Sequence, residues 1–418
     1  MAQLSDDCFA FGGGLMSGAQ ALERIRVAAL PLPGIESVSL RDASGRILAA
    51  PLVAEGDVPP HDNAAVDGYA VFFADLAPDR PTALPVTGRA AAGHALGRPA
   101  RRGEAIRIFT GAPMPEGPDT VLMQEDCRES EGSVTVPSGI KRGANRRRRG
   151  EDVRAGATVL EPGRRLRPQE VGLAAAVGRV ALPVYRRLRV ALFSTGDEVR
   201  EPGTHLPPGA IYDANRYTLL ALLTGLGCGV SDLGILPDRA LSVRDAIGDA
   251  AASHDLVVTS GGMSVGEEDH VKAAVEAQGK LHFWRLAIRP GRPVALGQVA
   301  GVPFVGLPGN PVAVMVTFLL LARPLILRLA GASAIAPHLY RVPAGFSYDK
   351  KASRAEYLRA RLERGVDGKW SARKYPRDGA GIISSLVDAD GLVALGEGVT
   401  AVAEGDEVDF LPFSEVLN

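Results

Sequence analysis

Between residues 188 and 307, short apolar, β-branched runs alternate with stretches whose apolar residues recur at helical spacing. This rhythm restricts the fold more than any other feature of the chain. The runs 188–193, 230–236, 255–259 and 302–307 read as strands, and 213–226, 242–252 and 270–278 as helices. Strand, helix, strand in this order predicts a mostly parallel sheet, whose ligands gather at the carboxyl ends of the strands. Three loops fall at that edge: 194–198, 260–269 and 308–311.

The middle loop has the most suggestive chemistry. Thr259-Ser260-Gly261-Gly262-Met263-Ser264 combines two adjacent glycines with flanking hydroxyls, leaving backbone N–H groups uncovered just before a helix. That arrangement suits a phosphate or another oxyanion. Glu267, Glu268 and Asp269 sit at the same mouth, where a cation such as Mg²⁺ would reconcile carboxylates with phosphate. The plainer alternative is a tight turn with Asp269 as a helix cap. Asn310 and Pro311 likewise suit the cap and first turn of the helix that follows them.

The flanking regions have a different texture. An amphipathic helix is predicted at 17–29, extended segments at 36–40 and around Ile47-Leu48, and a compact proline-led loop at 59–70 that holds Asp62 and Asp67. Residues 71–136 read as short strands with frequent Gly and Pro. The run Arg146-Arg147-Arg148-Arg149 is followed at once by Gly150-Glu151-Asp152, either a solvated face or a phosphate clamp. After Gly331, the segments 341–346, 357–362, 382–386, 391–395 and 407–411 read as strands of a small β-domain.

Composition narrows the function classes. With 47 basic and 48 acidic side chains the net charge is −1, which argues against non-specific binding to nucleic acid or a membrane surface. The longest apolar helix candidate, 311–322, meets Arg323 after 12 residues, short of the roughly 20 that a membrane span needs. Cys8, Cys127 and Cys228 are odd in number and far apart, as expected in a reducing compartment, and the first residues lack the basic start of a secretory signal. A cytoplasmic location is expected. The chain has no Gly-Lys-Ser/Thr phosphate loop, no dinucleotide fingerprint after a strand and no histidine pair at metal spacing.

Six stretches, in order, resemble the molybdopterin molybdenumtransferases, the MoeA-type family related to the E domain of gephyrin. They are Asp62-Asn63-Ala64-Ala65-Val66-Asp67-Gly68-Tyr69-Ala70, Thr110-Gly111-Ala112-Pro113-Met114-Pro115, Arg147-Arg148-Arg149-Gly150-Glu151-Asp152, Phe193-Ser194-Thr195-Gly196-Asp197-Glu198, residues 260–269, and Gly306-Leu307-Pro308-Gly309-Asn310-Pro311. The resemblance implies an α/β and β multidomain, elongated subunit that forms a homodimer, the second subunit contributing to the cleft. Its implied parts are a discontinuous domain of 1–50 with 143–181, a β-rich inserted domain of 51–142, a molybdopterin-binding α/β domain of 182–330 and a C-terminal β-domain of 331–418.

The reaction it implies takes adenylylated molybdopterin, releases AMP and inserts molybdate with Mg²⁺. A molybdopterin-adenylylating enzyme and acceptor molybdoenzymes are then partners. Asp62, Thr110, Asp152, Glu198 and Asp269 match active-site positions, with Asp62, Glu198 and Asp269 as metal ligands. The expected substrate-binding set is Ser194, Thr195, Gly196, Ser260, Gly261, Gly262, Ser264, Arg289, Arg292, Pro308, Gly309, Asn310 and Pro311. Arg289-Pro290-Gly291-Arg292-Pro293 stands where lysines are usual, and Ala64, Val66 and His61 also depart from the pattern. Arginine keeps the charge and adds a bidentate fork. These replacements motivate an alternative in which a diverged paralogue binds or hands on the finished cofactor; a phosphohydrolase of another nucleotide is a weaker reading.

Overall fold

In the computed structural model, residues 15–32, 34–237, 239–261, 270–366 and 368–417 are described. A six-stranded sheet organises the α/β part in the order Gly229–Leu236, Arg189–Thr195, Leu256–Ser260, Val302–Leu307, Pro293–Val299, Gly279–Arg285. Its first four strands are parallel, as the alternation of strands and helices predicts. The last two run antiparallel. A two-residue hairpin causes the reversal: Val299 pairs with Val302 across Ala300 and Gly301, whose φ values of 49° and 82° supply the two positive angles of a tight twisted turn.

The two-residue period of each strand separates two cores. Val190, Leu192, Leu256, Val258, Val305 and Leu307 point to one face, which Leu219, Leu223 and the helix after Pro311 cover. Ala191, Phe193, Val257 and Phe304 point to the other, under Val243, Ile247, Val271 and Val275 of the helices Ala240–Ser253 and His270–Gln278.

The apolar helix does not stop at Arg323. It runs for 19 residues, Pro311–Leu329, with a π-helical stretch at Phe318–Ala322. By length and composition it could cross a membrane, yet 89% of its apolar window is buried against the rest of the protein, so the core accounts for its character. Arg323 is tolerated there because its guanidinium reaches the carbonyl oxygens of Ile335 and Glu415, each at 3.4 Å. The π-helical stretch directly before Arg323-Pro324 absorbs the hydrogen bond that Pro324 cannot donate.

Before this domain, Ser17 caps the helix Gly18–Ala28 in a capping box with Gln20. Ile35–Ser39 pairs with Ala181–Tyr185, and Leu52–Val53 with Thr158–Leu160, over a shared core. The chain leaves this region and returns to it by neighbouring segments bonded to each other: Val58 N donates to the Val153 carbonyl at 2.7 Å, and Gly150 N to that of Pro59 at 3.0 Å. Beyond them lies a second six-stranded sheet, ordered Thr120–Met123, Gly68–Val71, Ala105–Ile108, Thr82–Ala90, Ser133–Val136, Arg128–Ser130.

The C-terminal sheet is seeded from the α/β part, since Ile288–Arg289 pairs in parallel with Ala355–Arg364. Residues 382–386, expected as a strand, instead lead into a helical turn, Ser384–Val387. Ser385 is fully buried in it, its hydroxyl accepting from a buried arginine, a tie that a strand's alternation would not provide.

Candidate active site

The carboxyl ends of the parallel strands build one cavity. Arg189–Thr195 delivers Ser194 and Thr195, which are 2% and 3% exposed. Leu256–Ser260 delivers Ser260, whose hydroxyl donates to the Pro308 carbonyl at 3.1 Å. Gly261 follows with φ +87°, and a Cβ there would lie 2.7 Å from the Thr195 carbonyl oxygen, so only glycine fits. Gly196 and Glu198 close the near side: a Cβ on Gly196 would meet the Glu198 carboxylate at 2.8 Å. From the helix Ala214–Gly225, Asn215 reaches across to donate from Nδ2 to the Gly309 carbonyl at 2.7 Å.

Among the described residues, three side-chain oxygens around this cavity are buried and find no hydrogen-bond partner: Ser194 Oγ, Thr195 Oγ1 and Asn215 Oδ1. Buried polar atoms are rarely left so, and their convergence marks a place where a ligand completes the bonding. Gly309 and Pro311 line the same cavity, whereas Pro308 contributes its carbonyl and Asn310 stands exposed at the helix cap without a side-chain capping bond. Gly262, Ser264, Glu267, Glu268 and Asp269 lie outside the described residues.

A second cleft, about 440 Å³, lies between the turn Arg289-Pro290-Gly291 and the C-terminal sheet. Val312 N donates to the Ala380 carbonyl at 3.0 Å and fastens the C-terminal segment there. The floor is Arg359, only 4% exposed, whose Nε donates to Ser385 Oγ at 3.0 Å and Nη2 to the Arg377 and Gly379 carbonyls at 2.8 and 3.3 Å. Among the described residues no carboxylate forms an ion pair with it, and burial pushes its pKa down. Arg289 lies in this cleft rather than beside Ser260, because its strand joins the C-terminal sheet; its guanidinium is 3.4 Å from Glu356. Tyr348 donates to the same carboxylate at 2.7 Å, and its phenol is pushed up to about 12 by burial and that partner. Arg292 lines neither cavity and is exposed.

Of the remaining expected residues, Asp62 and Thr110 lie in the inserted domain and Asp152 on the segment that leaves it. Asp62 accepts from Arg149 N at 2.7 Å and lies 3.4 Å from Arg146. Thr110 donates both its N–H and its hydroxyl to Asp67, each at 2.7 Å, and these bonds, the backbone one first, hold the Asp67 carboxyl below its usual range. Asp152 bonds through its N–H to the Val58 carbonyl at 3.0 Å and leaves its carboxylate exposed. The arginine run is thereby divided: Arg146–Arg147 pairs as a strand with Asn63–Ala64, and Arg149 is bonded to Asp57 at 2.5 Å.

The proposed metal set is therefore not assembled by what is described. Asp62 stands among arginines in one domain, Glu198 lines the cavity of another, and among the described residues no group of three or more His, Cys, Asp or Glu could hold a metal ion. Two residues that line these cavities, Asn215 and Arg359, were not expected from the sequence. Asn215 follows the cap Asp213 and reads as ordinary helix start, while Arg359 falls in a strand where a charged residue reads as solvent-facing. Their only sequence signal is polarity at a position that the carboxyl-edge rule, or burial, makes special.

Comparison with known proteins covers the chain nearly end to end. Residues 16–178 match the MoeA N-terminal region (domains I and II), 191–328 a probable molybdopterin binding domain, and 341–413 the MoeA C-terminal region (domain IV). The molybdopterin molybdenumtransferase of Haemophilus influenzae is 39% identical over 93% of this chain and 96% of its own length. That of a Nostoc species is 36% identical over 89% and 87%. Among solved structures, a MoeA molybdopterin biosynthesis protein from Pyrococcus horikoshii superimposes with a TM-score of 0.80 at 28% identity, spanning 96% of this chain and all of that one.

Proposed function

The chain belongs to the MoeA-type molybdopterin molybdenumtransferases, and from that premise we propose how its two cavities divide the substrates. The cavity around Ser194, Thr195 and Asn215 takes the pterin of adenylylated molybdopterin. The cleft over Arg359 takes molybdate. The adenylate is cleaved, AMP leaves, and molybdenum passes to the dithiolene.

The observation that carries this division is the buried guanidinium of Arg359, which forms no ion pair among the described residues and feels Asp378, on the wall of the same cleft, only through its charge. A buried charge is costly unless paired, and a tetrahedral dianion placed against it would reverse that cost through charge-assisted hydrogen bonds. Nη1, which makes none of the bonds named above, is available for them. Arg289 lines the same cleft, its guanidinium 3.4 Å from Glu356. The test is molybdenum insertion measured against molybdate concentration with Arg359→Gln. The KM for molybdate should rise about 10-fold or more, with binding of the pterin substrate retained. An unchanged KM would refute the assignment.

Catalysis of AMP release falls in this reading to the inserted-domain cluster, with Asp67 orienting the Thr110 hydroxyl and Asp62 available to position or deprotonate water. Because these residues do not line the pterin cavity of their own chain, the reading includes a homodimer in which one subunit's Asp62 serves the other's cavity. No step is drawn through a carboxylate-bound metal. Mg²⁺ is proposed to arrive with the adenylate phosphate, in keeping with its preference for substrate oxygens. The free thiols Cys127 and Cys228, pushed up to about 11 and about 12 by burial, fit a cytoplasmic setting, where an adenylylating enzyme would supply the substrate and molybdoenzymes would receive the product.

A further inference from the structure

We propose that Asn215 reads the exocyclic amine of the pterin, and so decides which heterocycle the cavity admits; the inference rests on the pterin's placement above. The Gly309 carbonyl can only accept, so the Asn215 amide must turn its nitrogen toward it, 2.7 Å away. Oδ1 is then a committed acceptor, buried and without a partner among the described residues. Ser260 is bound in the same way, its only donor given to the Pro308 carbonyl. Two side chains from separate elements thus hold the 308–309 loop by donating to it, and both leave acceptor lone pairs behind.

The remaining groups of the cavity fit that inventory. Glu198 adds a carboxylate, and the hydroxyls of Ser194 and Thr195 can donate or accept. A phosphate oxygen set against Asn215 Oδ1 would face acceptor with acceptor. The described wall of the cavity at Asn215 and Ser260 therefore suits a ligand that presents N–H groups better than an oxyanion. The pyrimidine edge of a pterin does so, with an exocyclic amine beside a ring carbonyl that Ser194 or Thr195 can serve. Replacing that amine by a carbonyl would leave two buried acceptors opposed, the kind of mismatch by which sites discriminate most strongly.

The experiment is fluorescence titration of the full-length protein with 6-hydroxymethylpterin and with 6-hydroxymethyllumazine, in which a carbonyl replaces the amine. The wild type should prefer the pterin by about 10- to 100-fold. Asn215→Ala, checked for an intact melting transition, should bring the two affinities within about 3-fold of each other. Asn215→Asp, which keeps an acceptor but loses the bond to Gly309, should bind both more weakly and still favour the pterin. A folded Asn215→Ala protein with the wild-type preference overturns the assignment to Asn215 and leaves the pterin site standing. A wild type that binds neither compound overturns both.

Discussion

Ser194 and Arg359 make opposite demands on the free protein, so their substitutions should differ in sign. Ser194→Ala removes a buried hydroxyl that has no partner among the described residues, and the unliganded protein should be as stable as the wild type or slightly more so. Binding of the pterin substrate should weaken by about 10-fold, the equivalent of one lost buried hydrogen bond; a lower melting temperature with unchanged affinity would contradict this. Arg359→Gln, by contrast, removes bonds to Ser385 and two carbonyls and should lower the melting temperature as well as molybdate use. Arg292→Ala should change neither, its side chain being exposed and outside both cavities. The sequence pointed to Ser194 and Glu198 because they follow the carboxyl end of a predicted parallel strand, and both line the cavity there. It hid Arg359, whose burial depends on carbonyls at 377 and 379 that no local pattern announces.

At the scale of elements, the loops after the strands differ in how tightly they are built. A Cβ at Gly261 would sit 2.7 Å from backbone at φ +87°, whereas at Gly309 it would meet nothing within 4 Å. Gly261→Ala should therefore cost about 1–3 kcal/mol of stability and impair pterin binding, and Gly309→Ala should be nearly silent in thermal unfolding. Equal effects at the two positions would show that the loops move freely. Most of these elements were readable, since the β-branched runs at 256–260 and 302–307 leave little choice but buried parallel strands. The hairpin reversal was not, because Ala300 does not advertise a positive φ as Asn or Gly would. Nor was the continuation through Arg323-Pro324, where a π-helical stretch and distant carbonyls outweigh two local stop signals.

For the molecule as a whole, three buried carboxylates tie elements together far from the cavities. Arg98 holds Glu104 down to about 2, Arg167 and Arg164 hold Glu170 to about 2, and Asp255 reaches about 2 because bonds from Arg186 and Arg189 outweigh the burial that would raise it. With folded values depressed from 4.5, 4.5 and 3.8, their stabilisation is complete above those values and is lost as pH falls toward about 2. Unfolding by denaturant should show its steepest acid loss in that window, and Asp255→Asn should flatten it; an unaltered slope would exclude Asp255 as a contributor. The proposed sharing of sites between subunits can be tested by mixing inactive Asp62→Asn with inactive Glu198→Gln, which should restore about a quarter of wild-type turnover in randomly assembled dimers, each mixed dimer having one intact site. No recovery would return both residues to the same chain. The neighbouring entry and exit of the inserted domain, where Val58 bonds to Val153 and Pro59 to Gly150, also have a genetic meaning. Such a domain is a cassette: it can be gained, lost or exchanged between relatives by splicing at two adjacent points, leaving the remaining fold unbroken, so the cluster proposed to release AMP is free to evolve separately from the cavity proposed to hold the pterin.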